Sequence, residues 1–204
     1  SIKDNKLTRH NLDAFINVAN SSGNIILKNL QRAGNLIQSF KEVAVDQSNE
    51  QLRSFNVKGY IKEILVTATP SLKKAQHQVK LNCPQDLDAF TYPSALYQIL
   101  TNLLMNSIKH GFKNKQQGEI DINVHVDEER ENMMVLQYRD NGRGMTDETI
   151  ANIFKPFFTT ARNEGGSGLG MHVAYNLVTQ KLKGEIHCIN TQGNGAYFII
   201  EIPL

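Results

Sequence analysis

With 204 residues, 40% of them hydrophobic and 21% charged, the chain has the make-up of an ordinary globular protein with room for one good core plus an appendage, or for two small domains. Its formal net charge is only +2, and Lys73-Lys74 is the one tight lysine pair in the first half, which argues against a nucleic-acid surface. Cys83 and Cys188 stand far apart with no C-x-x-C arrangement, no apolar run nears the ~18 residues of a membrane span and no signal-peptide pattern occurs, so the chain reads as soluble and cytosolic, without a disulfide framework or a zinc site.

From Leu12 onward, apolar and small residues recur at intervals of four and three: Leu12, Ile16, Ala19, Gly23, Ile26, Leu30, Ala33, Ile37, Phe40 and Ala44. Lys28, Arg32, Lys41 and Glu42 fall off this seam and no proline interrupts it, so the segment reads as one long helix with a coiled-coil-like stripe. A helix cannot bury its own stripe; it packs on another helix, another subunit or the core of the same chain. The polar stretch 46–51 marks a boundary near residue 50, dividing the chain into a helical segment, 1–50, and a second domain, 51–204.

In that second domain the pattern predicts a strand over 54–57, a helix over 58–76 that Pro70 is expected to kink, a strand over 79–83, a turn over 84–88 and a helix from Pro93 to about 112. Strands over 119–127 and 133–140 alternate apolar with polar residues and are joined by the charged tip Glu128-Glu129-Arg130-Glu131. A short helix from Thr146, a glycine-rich loop, a helix over 168–182 and strands over 185–190 and 196–203 complete the chain. Helices alternate with strands, yet several strands are joined by hairpins. The expected fold is α+β: a two-layer α/β sandwich whose mixed sheet is covered by helices on one face, preceded by the long N-terminal helix.

Three stretches carry chemistry. At 100° per residue, Asn102, Asn106 and Lys109 share about 60° of one helix, while Leu100, Leu103, Leu104 and Ile108 fill the other side. Two amides and an ammonium are expensive to bury unpartnered, and phosphates with their metal would partner them: a neutral amide oxygen suits magnesium, and lysine meets phosphate charge. The plainer alternative is a face that meets water. The second stretch, Asp140-Asn141-Gly142-Arg143-Gly144-Met145, ends an alternating strand; its glycines let the backbone pass close to a flat ligand, and its aspartate can accept from an exocyclic amine, although such a segment is also an ordinary tight turn.

The third, Gly165-Gly166-Ser167-Gly168-Leu169-Gly170-Met171, opens an apolar helix, where free amides form a phosphate cradle. It is neither a Walker loop, since Met171 stands where lysine would follow, nor a dinucleotide fingerprint. Before it, Phe154, Phe157 and Phe158, then Thr159, Thr160, Ala161 and Arg162, read as an aromatic hinge and a flexible lid, or as plain core packing for the phenylalanines.

In their order and spacing, 102–110, 140–144, 154–158 and 166–170 resemble the N, G1, F and G2 boxes of the histidine kinase catalytic domain, whose superfamily includes DNA gyrase B, MutL and the large heat-shock chaperones. The resemblance covers about residues 52–204. It implies that Asp140 binds adenine, Asn106 holds Mg2+, and Gly166, Gly168 and Gly170 close over the triphosphate of ATP. Asn102, Gly142, Gly144, Met145, Phe157, Phe158, Thr159, Thr160, Ser167, Leu169 and Met171 complete the implied ATP site, with Lys109, His110, Arg162 and His172 on the phosphate side; Asn106 and Lys109 carry the catalysis. Residues 8–46 look like the second helix of the dimerisation and phosphoacceptor hairpin of these kinases.

Hydrolases of the superfamily place a glutamate four residues before the metal-binding asparagine. Asn102 stands there, and an amide cannot take a proton from water, so transfer is expected over hydrolysis. The family's acceptor is a histidine followed by an acidic residue and then a proline. His10, His77, His125 and His187 do not match, so the first hairpin helix is expected before residue 1, leaving a chain that binds ATP without phosphorylating itself. Ala196 stands where the family often has a threonine that assists with adenine, and Ala161 where relatives tend to carry lysine. The expected activity is ATP-dependent histidine phosphorylation. Its expected partners are a second copy through the hairpin and a response-regulator receiver domain, with no nucleic acid, and a membrane only through upstream segments of a cytoplasmic or membrane-anchored parent. A serine kinase of the anti-sigma-factor type and an ATP-sensing dimerisation module are the alternatives.

Overall fold

Alternation along three neighbouring strands builds the sheet. Ile120, Ile122 and Val124 of β4 (Glu119–Val126), Met134, Leu136 and Tyr138 of β5 (Met133–Asp140) and Phe198, Ile200 and Ile202 of β7 (Tyr197–Pro203) are all buried on one face. The opposite face is mostly polar, with Val135 and Ile199 among its apolar members, and carries amide ladders: Asn82 Nδ2 donates to Asn123 Oδ1 at 2.9 Å, and Asn123 Nδ2 to Gln137 Oε1 at 3.3 Å. The computed structural model describes residues 9–45, 51–74, 76–113, 117–130, 132–161, 166–189, 191 and 194–204. With β2 (Gln78–Asn82) and β6 (Glu185–Ile189) the strands form one sheet in the order β2-β4-β5-β7-β6, in which β2 and β4 are parallel and the other pairs antiparallel. The sheet is mixed, as expected.

Helices cover its apolar face. Ile61, Ile64 and Leu72 of α2 (Val57–Lys74), Leu96, Ile99, Leu100, Leu103 and Leu104 of α3 (Pro93–Asn106), and Met171 and Ala174 of α5 (Gly170–Asn176), which follows the short α4 (Asp147–Asn152), join the strand residues in one core. α2 runs on through Pro70 to Lys74. Its start is capped by Asn56, whose Oδ1 accepts the Gly59 N–H at 2.9 Å. One strand departs from expectation: residue 88, assigned to a turn, opens β3 (Asp88–Thr91), which pairs antiparallel with β1 (Arg53–Asn56). Four residues are too few to announce a strand locally; the pairing with β1, together with burial of Ala89 and Thr91, makes one.

The N-terminal segment forms α1 (Arg9–Val45), a single helix of 37 residues. Its seam residues Leu12, Ile16, Ala19, Gly23, Ile26, Leu30 and Ala33 are all exposed, so within this one chain these described positions of the stripe are not packed on the core. The side chains of Lys28, Arg32, Ile37, Phe40, Lys41, Glu42 and Ala44, and all of 46–50, lie outside the described residues. Among the described residues, no helix is long and apolar enough to cross a membrane.

Candidate active site

Asp140 is the last residue of β5 and keeps the strand's alternation, so it follows Met134, Leu136 and Tyr138 onto the buried face and is only 4% exposed. A carboxylate there needs partners. Its Oδ1 accepts the N–H groups of Gly142 at 2.9 Å and Ala196 at 3.0 Å, and its Oδ2 accepts the Ser107 hydroxyl. Ser107 is also bonded to the Tyr138 hydroxyl at 2.8 Å. The turn after Asp140 is stitched to its surroundings: Asn141 Oδ1 takes the Glu119 N–H at 2.9 Å, and the Arg143 N–H reaches the Gly111 carbonyl at 3.0 Å. Gly142 has no room for a side chain, since a Cβ would stand 2.7 Å from the Gly111 carbonyl oxygen. Gly144 and Met145 follow, both half-buried, with Met145 against the core.

α3 brings Asn102 and Asn106 to the same region, one turn apart and both half-buried. The Asn106 amide takes no hydrogen bond from another described residue, which suits an oxygen kept for a ligand. Beyond Asn106 the helix widens into a π turn over Ser107–Gly111, closed by the Phe112 N–H on the Ser107 carbonyl at 2.8 Å. Single π turns recur at functional sites because they re-aim side chains. This one points Ser107 into the core at 3% exposure and takes Lys109, which is exposed, and His110, half-buried, off the 100° register that sequence spacing assumes.

The glycine loop returns to α3 and to the aromatic hinge. A Cβ on Gly170 would lie 3.1 Å from Asn102 Oδ1, so the start of α5 rests against that amide. Gly168 packs on the hinge backbone, where a Cβ would come within 2.5 Å of the Phe157 carbonyl carbon; Gly166 packs on Thr159, whose Oγ1 would be 2.8 Å from a Cβ. The Gly166 N–H reaches the Ala161 carbonyl at 3.2 Å, and Ser167 Oγ accepts the Leu169 N–H at 3.3 Å. Phe157 is exposed and holds φ at +63°, a left-handed conformation that costs a bulky residue energy, while Phe158 is half-buried and Thr160 exposed. Leu169 and Met171 are core residues. Arg162 and 163–165 lie outside the described residues.

His172, assigned from sequence to the phosphate side, is engaged elsewhere. Its Nδ1 lies 3.0 Å from the Phe154 carbonyl, so it carries the proton and donates, and its Nε2 accepts from Asn176 Nδ2 at 3.1 Å. Nδ1 thus ties α5 to the hinge, where Phe154 packs on Tyr175 with ring centroids 5.3 Å apart, while Nε2 is held by a residue one turn along the same helix. Three residues at the site escaped sequence reading: Ser107, Tyr138 and Gly111. The signal for Tyr138 was its place in phase with Asp140 on an alternating strand; Ser107 and Gly111 depend on the π turn, which no apolar period announces.

The family profile described as Histidine kinase-, DNA gyrase B-, and HSP90-like ATPase matches residues 91–204. The autoinducer 2 sensor kinase/phosphatase LuxQ of Vibrio cholerae is 37% identical over 112 residues, 52% of this chain and 12% of LuxQ. The sensor histidine kinase RcsC of Escherichia coli is 25% identical over 199 residues, 95% of this chain and 20% of RcsC. The chain therefore spans a small part of the curated relatives it matches. The nucleotide-free catalytic domain of the histidine kinase ThkA superposes with a TM-score of 0.64 at 27% identity, over 75% of this chain and 95% of that one. ThkA in complex with the response regulator protein TrrA gives 0.65 at 23% identity, over 98% of this chain and 54% of that one, a likeness of fold.

Proposed function

The chain belongs to the family of histidine kinase-, DNA gyrase B- and HSP90-like ATPases, and from that premise we propose that it is the ATP-binding, catalytic part of a sensor histidine kinase. The observation that carries this reading is the meeting of Asp140 with the end of α3: a sealed carboxylate bonded to Ser107, the chain neighbour of Asn106. Asp140 accepts the exocyclic amine of adenine, with the bare position at Gly111 leaving the approach to Oδ2 open. Asn106 would hold Mg2+ through its amide oxygen, a ligand that suits a hard ion keeping most of its waters. When bound, the ion supplies charge neutralisation at the phosphates. Gly166, Gly168 and Gly170 offer backbone to the triphosphate, Ser167 and Thr159 line its approach, and Lys109 and His110 meet its charge.

Phosphoryl transfer asks the protein for positioning and electrostatics more than for covalent chemistry. A histidine Nε2 bonds to the γ-phosphorus as the bond to the β–γ bridging oxygen breaks, and ADP leaves. Asn102, an amide against the start of α5, has no capacity to take a proton from water, which favours this transfer over hydrolysis. The acceptor histidine belongs to a dimerisation hairpin of which α1 supplies the second helix; the exposed stripe of α1 suits a second copy of the chain, and 1–50 and 51–204 serve as separate domains. A response-regulator aspartate then receives the phosphoryl group, in the cytoplasm where ATP is supplied. The name of LuxQ, a kinase/phosphatase, and the ThkA complex with TrrA support this relay.

The test is to mix the chain with a histidine-bearing hairpin and γ-labelled ATP. Label that is lost in acid and kept in base marks phosphohistidine and is the expected result. Acid-stable label marks a serine kinase, and nucleotide binding without label marks a sensing module; either overturns the proposal.

A further inference from the structure

Asp140 is the end of a buried chain of hydroxyl groups. The Tyr138 phenol lies 2.8 Å from Ser107 Oγ, and Ser107 Oγ bonds Asp140 Oδ2. Tyr138, Ser107 and Asp140 are sealed from solvent, at 0%, 3% and 4% exposure. The direction of the protons follows by elimination. An ionised carboxylate has none to give, so the single hydroxyl proton of Ser107 lies in its bond to Oδ2. Ser107 then has only lone pairs to offer Tyr138, and the phenol donates to it. Burial keeps that phenol protonated, far above its ordinary range; the bond to Ser107 pulls the other way, and the charge of Asp140 pushes it up further.

The acceptor sites of Asp140 are nearly all used. Oδ1 takes two N–H groups, from Gly142 and Ala196, and Oδ2 takes the Ser107 hydroxyl, which leaves one lone pair on Oδ2. That oxygen borders Gly111, where a Cβ would come within 3.3 Å of it, so the absent side chain keeps the approach open. The relay therefore presents an acceptor and no spare donor. For Asp140 to become a donor it would have to carry a proton on Oδ2, and Ser107 would have to turn its own proton aside. On its other flank Ser107 meets the proton of Tyr138, so in this sealed site the displaced proton has no partner, and an unpartnered buried polar group is costly.

We propose that Tyr138 and Ser107 are positioning residues for base recognition: acting through Asp140, they fix it as a hydrogen-bond acceptor, so that the site takes 6-aminopurine nucleotides and rejects 6-oxopurine ones. The inference rests on the reading of Asp140 as the residue that meets the base. Tyr138 supplies the last proton of the relay and Ser107 passes its polarity on, although neither touches the base in this scheme.

Calorimetric titration of the chain with ADP and with IDP, which carry an amino and an oxo group at the same purine position, tests the proposal. The wild type is expected to bind ADP at least about a hundredfold more tightly than IDP, as sites that hydrogen-bond a specific group do. In Tyr138→Phe and Ser107→Ala the polarity of the relay is no longer fixed, and the ADP:IDP affinity ratio falls at least about tenfold, the scale of one hydrogen bond to a charged group. A role in packing alone would weaken both ligands alike, so an unchanged ratio in variants that bind ADP overturns the relay and leaves Asp140's role standing. Failure of the wild type to bind ADP overturns both. Tyr138→Phe keeps the ring and loses one oxygen, so it carries the test should Ser107→Ala not fold.

Discussion

Gly195 lies so close against the end of β5 that a Cβ at that position would overlap the carbonyl oxygen of Asp140. Its φ of +81° is also one that side chains resist. Gly195→Ala therefore has to push the 194–196 segment off β5 and with it the Ala196 N–H that Asp140 Oδ1 accepts. A loss of roughly 2–4 kcal/mol is expected from strain together with a broken buried hydrogen bond. Urea denaturation measures it, and an unchanged midpoint would refute the packing described for this corner.

Asp140→Asn separates fold from ligand. The Gly142 and Ala196 N–H groups require an acceptor, so the amide oxygen takes the place of Oδ1 and the amide nitrogen that of Oδ2. The two backbone bonds are kept, but the amide nitrogen cannot accept the Ser107 hydroxyl proton that Oδ2 took, and a donor now faces the adenine amine. Losing a charge-assisted bond and gaining a donor–donor contact is worth about 3 kcal/mol, or roughly a hundredfold in ADP affinity, while the displaced Ser107 proton lowers stability by about 1–3 kcal/mol without unfolding the chain. Wild-type ATP affinity in this variant would sink the site assignment.

Gly170→Ala tests the contact between the glycine loop and α3. Alanine suits a helix better than glycine by up to about 1 kcal/mol, so the fold should hold. Its Cβ would nevertheless press on Asn102 Oδ1 at 3.1 Å and shift the amide by a few tenths of an ångström. Mg-ATP affinity is expected to fall about tenfold, in line with the sensitivity of such sites to small displacements, while adenosine affinity stays put. Parallel titrations with the two ligands check this; equal losses for both would argue against a phosphate-side role for the contact.

His77 makes stability depend on pH. Its Nδ1 accepts the Gly118 N–H at 2.9 Å and its ring packs on Phe112 with centroids 4.4 Å apart, so the neutral form fits, and burial lowers its pKa. The folded state then binds the proton less readily than the unfolded state does. The stabilisation is complete above the ordinary imidazole value of about 6.5 and is lost as pH falls below it towards the folded-state value. Urea midpoints at several pH values between 8 and 5 should decline in the wild type and decline less in His77→Gln. Identical slopes would rule His77 out as the source.

Much of this molecule is legible locally. The alternation of Met134, Leu136 and Tyr138 announces β5, the four-three seam announces α1, and the order of the Asn102–Asn106, Asp140–Gly144 and Gly166–Gly170 segments announces a nucleotide site, because period and residue chemistry are properties of short stretches. β3 was not legible, since four residues become a strand only when β1 lies beside them. His172 looked like a phosphate ligand because nothing near it in the chain shows that the Phe154 carbonyl and Asn176 occupy both of its nitrogens.

The same division runs through Asp140. That an acidic residue ends an alternating strand and precedes two glycines can be read from the chain alone, and it suffices to name the residue. Which of its oxygens stays open to a ligand, and whether the residue beside Asn106 points at it, depends on Ser107, Gly111 and Ala196. These are separated from it by tens of residues and brought beside it by a π turn and by the pairing of β7 with β5. Polarity at a buried site is set by the sum of such long-range hydrogen bonds, and no local pattern encodes that sum.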